Sequence, residues 1–107
     1  MGTGINPSKK SYRDLNELKT RVQELVYKEK YAISWKHIKQ NHPNITEHEI
    51  LNGLIYGLYK PDKNIEARYV SWSKLTTSPV RLIRIVFELH ETPDSELILV
   101  ITAFEEE

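Results

Sequence analysis

Apolar residues follow two kinds of spacing along the chain, and the change comes at Pro61. Before it, Leu15, Leu18, Val22, Leu25 and Val26 recur every three or four residues, with Arg13, Glu17, Arg21, Glu24 and Lys28 between them. That spacing draws one apolar stripe along a helix, which Ser11 is placed to cap and which is expected to end near Lys30. Ser34 can cap a second, short helix, with Ile33 and Ile38 as a hydrophobic staple. Pro43 disfavours helical geometry at His42 and stops it. A third helix start is marked more strongly: Thr46 and Glu49 have the spacing of a capping box, flanked by the staple pair Ile45 and Ile50. Ile50, Leu51, Leu54, Ile55 and Leu58 continue the stripe until Gly57 or Lys60–Pro61–Asp62 ends the helix.

After Pro61, β-branched and aromatic residues dominate, and 65–72, 80–90 and 97–104 read as three strands. Their joints, 73–79 and 91–95, are composed of turn formers short enough to favour antiparallel pairing. The predicted architecture is α+β, with N-terminal helices packed on one face of a three- to four-stranded antiparallel sheet. In the central strand Arg81, Ile83, Ile85, Phe87 and Leu89 form the core-facing set; Leu82, Arg84, Val86, Glu88 and His90 form a mixed set that suits a half-open face. A hairpin tip centred at Pro93 places Arg84 opposite Thr102, Val86 opposite Val100 and Glu88 opposite Ile98. Arg84 and Thr102 then share a face, and a guanidinium beside a hydroxyl is a plausible anion site.

Length and composition narrow the classes. The 107 residues suit one domain over 11–107, preceded by a polar leader over 1–10 that contains Gly2, Gly4 and Pro7. The absence of cysteine excludes a disulfide scaffold, a thiolate metal site and a thiol nucleophile. No apolar run approaches the ~20 residues that span a bilayer, and a cytoplasmic protein without membrane contact is expected. Charge is balanced overall, 15 Lys and Arg against 15 Asp and Glu, but unevenly placed. Lys60, Lys63, Arg68, Lys74, Arg81 and Arg84 form a basic stretch, whereas the chain from Glu88 onward carries seven acids and no Lys or Arg. A basic stretch of this kind can bind a polyanion locally, or be one of two solvated surfaces.

His37 and His42 lie five residues apart, about 140° around a helix, which is unsuited to a metal pair. No metal or other cofactor is expected. Imidazole is better suited here to proton transfer, because it titrates near neutrality.

The stretch from His37 through His42-Pro43 to Thr46, leading into a helix, then Leu82-Ile83-Arg84-Ile85-Val86 and Val100-Ile101-Thr102-Ala103-Phe104, resembles the small RelE/BrnT-like toxins. It is similar also to related domains of unknown function that share the barnase–EndoU–colicin–RelE nuclease fold. The resemblance covers roughly residues 34–104. It implies helices on one sheet face, RNA on the other, and a metal-independent endoribonuclease of toxin–antitoxin type. His37 or His42, Arg84 and Thr102 would be its catalytic residues, with Arg68, Lys74, Arg81 and Trp72 on the RNA surface and Thr102 holding a phosphate oxygen. The amphipathic first helix is suited to dock an antitoxin or another protein partner. A non-catalytic protein-interaction module on the same scaffold is the alternative.

Overall fold

A computed structural model describes residues 8–75 and 81–106. Helix α1 spans Leu15–Tyr27 and buries Leu18, Val22, Leu25 and Val26, the stripe expected from the spacing. Its cap is Asp14 rather than Ser11: the Asp14 carboxylate accepts a hydrogen bond from the Asn16 N–H at 2.8 Å. Helix α2 is short, Trp35–Asn41, and the Ser34 side chain makes no capping bond. Helix α3, Glu47–Tyr56, has the full capping box, with the Glu49 N–H donating to Thr46 Oγ1 and the Thr46 N–H donating to Glu49 Oε1.

The sheet differs from the expected one in strand number and in sign of pairing. It has six strands: β1 (Ser8–Lys10), β2 (Tyr31–Ile33), β3 (Leu58–Pro61), β4 (Tyr69–Leu75), β5 (Arg81–Thr92) and β6 (Ser95–Glu106). Their order is β2-β6-β5-β4-β3, with β1 paired to β5 beyond the end of β4. Strands β3 to β6 form an antiparallel meander, whereas β2 runs parallel to β6, so the sheet is mixed. Two of the additional strands were hidden by length, since three residues cannot show a period. Residues 8–10, assigned to the leader, pair with Glu91, His90 and Leu89; residues 1–7 lie outside the described part. Leu58–Pro61 carries the signals of a helix stop and is also a strand. The β4 strand begins later than expected, because Ile65 falls in a turn that ends with Ala67 at positive φ. The rest of the expected joint at 73–79, beyond Leu75, and Val80 lie outside the described residues.

The register between β5 and β6 also needs correcting. Around the two-residue tip Pro93–Asp94, Thr92 pairs with Ser95 and Glu88 with Leu99. A bulge at Val86/Phe87 then shifts the pairing, so that Val86 faces Thr102 and Arg84 faces Phe104. The extra residue in β6 reverses its side-chain parity. Ile98, Val100 and Ala103 all reach the core, and Thr102 stays on the face of Arg84, two pairs along the ladder from it.

All three helices cover the side of the sheet that carries Ile83, Ile85, Phe87 and Leu89, and together with Leu18, Ile38, Ile50 and Leu54 these form one core. On the other side Leu82, Val86, Leu97, Leu99, Thr102 and Phe104 are half-buried by one another and by Trp72, without a described helix over them. Among the described residues, no helix is long and apolar enough to cross a membrane.

Candidate active site

The run Asn41 to Ile45 leaves α2 and folds back along the edge of β6, past the point where β2 stops. Three bonds fix it: the His42 N–H donates to the Ile38 carbonyl at 2.7 Å, and Lys39 Nζ donates to the carbonyls of Pro43 and Ile45 at 3.2 Å each. The backbone thereby sets the imidazole of His42 against Phe104, with ring centroids 6.1 Å apart. Beside it lies a cavity of about 260 Å³ lined by Asn41, His42, Asn44 and Glu105 among others.

Glu105 is held from the other side by Arg81, whose Nη2 and Nε lie 2.6 and 2.9 Å from its Oε1. The same guanidinium pairs with Glu49, the acid of the α3 capping box. The Arg81 bond, reinforced by the positive end of His42, keeps the Glu105 carboxyl below the ordinary carboxylate range. An imidazole, an ionised carboxylate and a guanidinium therefore meet at the open end of β5 and β6. This is the equipment for moving protons next to a stabilised negative charge.

Arg84 lies one strand away on the uncovered face. Its Nε is 2.7 Å from Glu106 Oε1, yet the N–H is not aimed at that oxygen, so the contact is an ion pair without a well-formed hydrogen bond. The guanidinium also lies over the Trp72 ring, 5.9 Å from its centroid. His42 and Arg84 both border Phe104, one through its ring and the other as its β-ladder partner. His42, Arg81 and Arg84 thus lie at one end of the sheet but not on one face: Arg81 bonds Glu49 and Glu105 on the helix-covered side, not on the expected RNA surface, while Arg84 shares the uncovered face with Thr102 and Trp72.

The remaining expected residues are placed differently. The His37 ring is exposed on α2 and makes no hydrogen bond or ion pair among the described residues. Lys74 is exposed and unpaired among the described residues. Arg68 is at the far end of the sheet, bonded at 2.7 Å to Glu88, four residues or about 13 Å along β5 from Arg84.

Glu88 is only 4% exposed and also bonds Lys9 at 3.0 Å and the His90 ring at 2.8 Å. Burial pushes its pKa up, but these three partners outweigh it, and the net shift is downward. On the helix side Glu96, 7% exposed, is held by Arg21 of α1 and by Lys10 of β1 at 3.1 Å, with the same net direction.

These pairs change the meaning of the uneven charge. Three cations of the basic stretch, Arg68, Arg81 and Arg84, face acids of the C-terminal stretch, Glu88, Glu105 and Glu106. Half of the basic stretch is thereby neutralised, while Lys60, Lys63 and Lys74 form no ion pair among the described residues. Glu105 was the functional candidate that linear reading missed, and its signal was slight: an acid at the end of an apolar strand, indistinguishable from the solvated tail beside it. Among the described residues, no group of three or more His, Asp or Glu side chains is arranged to hold a metal ion. No family model matches the chain, and neither the curated proteins nor the solved structures return a match.

Proposed function

We propose that the protein is a metal-independent endoribonuclease, of the kind that serves as a toxin in toxin–antitoxin systems, and that its centre is the cavity between His42 and Glu105. The observation that carries this reading is that an imidazole and a carboxylate share one cavity while Arg81 grips that carboxylate. In RNA cleavage of this type a base removes the 2′-hydroxyl proton and the 2′-oxygen attacks the phosphorus. The 5′-oxygen of the next nucleotide then leaves with a proton from an acid, giving a 2′,3′-cyclic phosphate and a free 5′-hydroxyl. Glu105 is the group placed to accept the first proton, and His42, across the same cavity, is placed to supply the second. Arg81, beside Glu105, is the cation placed to balance the charge that builds on the phosphorane, whereas Arg84 and Thr102, on the opposite face of the sheet, are placed to hold a neighbouring phosphate.

The test is cleavage of a labelled single-stranded RNA by the purified protein in the presence of a chelator. His42→Ala and Glu105→Gln are each expected to lower the rate about 100-fold or more, with circular dichroism unchanged. Full activity in both variants would contradict the assignment.

A second reading is favoured by a different observation, the half-buried apolar row Leu82, Val86, Leu97 and Leu99 on the uncovered face. It supports a non-catalytic module that docks a protein there, since a contiguous apolar patch left at the surface is a common mark of a protein contact. A wild-type protein inert toward RNA that forms a defined complex through this row would establish it.

A further inference from the structure

A second cavity, of about 390 Å³, opens where β3 begins against β4, and its walls include Asn52 and Tyr56 of α3, Leu58, Trp72, Lys74 and Leu82. Leu58, the first residue of β3, pairs with Trp72, so β4 runs on to Leu75 without that neighbour and leaves a notch. Tyr56 is 73% exposed and Leu58 64% exposed, a large apolar and aromatic area left in water beside the Trp72 ring. Lys60 Nζ lies 5.3 Å and Arg84 Cζ 5.9 Å from that ring's centroid, and Lys74 is on the rim. The Asn52 amide makes no hydrogen bond among the described residues, and the neighbouring Ser73 Oγ, buried beneath Gly53, has no partner either.

Resting on the RNA reading, we propose that this notch seats one unpaired nucleobase of the substrate, so that the enzyme takes single-stranded RNA and not duplex. A π-face is a stacking partner for any base, and an amide with a donor and an acceptor side by side matches a base edge. Lys60 over the indole and Lys74 on the rim, neither in an ion pair among the described residues, complement a ligand that is aromatic and anionic at once, while the Arg84 charge is shared with Glu106. The base displaces the Lys60 ammonium from the ring face, and the ammonium pairs with the adjoining phosphate. A base within a duplex is already stacked on both sides and is held too far inside the helix to enter.

Trp35 and Trp72 are the two tryptophans of the chain, so a Trp35→Phe protein reports Trp72 emission alone. The probe is 2′-O-methyl octaadenylate, which resists cleavage, free or annealed to its 2′-O-methyl octauridylate complement. The expected result is quenching of Trp72 by the single strand and none by the duplex, with single-strand binding weakened at least about fivefold by Trp72→Leu and retained by Trp72→Phe. Equal quenching by the duplex, or binding seen by anisotropy without a change in Trp72 emission, would overturn the stacking site and leave the RNA reading standing. Absence of binding overturns the stacking site as well; cleavage of ordinary RNA, measured separately, then decides whether the RNA reading falls with it. If Trp72→Leu does not fold, the emission experiment on the intact indole still decides.

Discussion

The two faces of the sheet obey different chemistry although they are made by alternate residues of the same strands. The covered face of β5 carries Ile83, Ile85, Phe87 and Leu89, all inaccessible to water and all hydrocarbon. The uncovered face of the same strand carries Leu82, Arg84, Val86, Glu88 and His90, and each charge on it has a partner: Glu106 for Arg84, and Lys9, Arg68 and His90 around Glu88. One face contributes stability through burial. Over the other no helix of the described residues lies, and Leu82, Leu97 and Leu99 are left half in water.

Truncation should separate the faces most sharply. Phe87 lies between Tyr59 and Tyr69, with ring centroids 5.5 and 6.0 Å away, and Phe87→Ala is expected to cost about 3–5 kcal/mol in a denaturant titration. Val86→Ala, one residue along on the other face, should cost under about 1.5 kcal/mol. Equal losses would erase the distinction.

Charge pairs should rank in the same order as their burial. Glu96 is nearly buried and bonds Arg21, so Glu96→Gln is expected to destabilise by about 1–3 kcal/mol at pH 7. Because the folded state depresses the Glu96 pKa, this stabilisation is present above the ordinary carboxylate pKa of about 4.3 and is lost as the pH falls through the lower folded value. Wild type and Glu96→Gln should therefore converge in melting temperature on acidification; a gap that widens toward low pH would reverse the sign. The Glu106–Arg84 pair is more than a quarter exposed on both sides, so Glu106→Gln should shift stability by less than about 1 kcal/mol. A larger shift would show that Arg84 is held as a structural group and not kept accessible for a ligand.

Much of the covered face was legible from spacing, because burial selects hydrocarbon at every second strand position and every third or fourth helix position. The Thr46–Glu49 box and the Ile83 to Leu89 alternation are both visible in the linear chain for that reason. What was not legible depends on pairing between distant segments. The bulge that brings Val100 and Ala103 to one face arises between two strands. So does the partnership of Arg81 with Glu105, which ties one cation of the basic run to an acid of the C-terminal stretch. His42 could be read as a proton-transfer group, but the carboxylate that shares its cavity could not, since 63 residues separate them in the sequence.

The most direct test of the proposed centre is mass spectrometry of the ends produced when purified protein meets a single-stranded RNA in chelator. The account predicts fragments ending in 2′,3′-cyclic phosphate with matching 5′-hydroxyl ends, lost in His42→Ala. Intact RNA, or 3′-hydroxyl and 5′-phosphate ends, would contradict it.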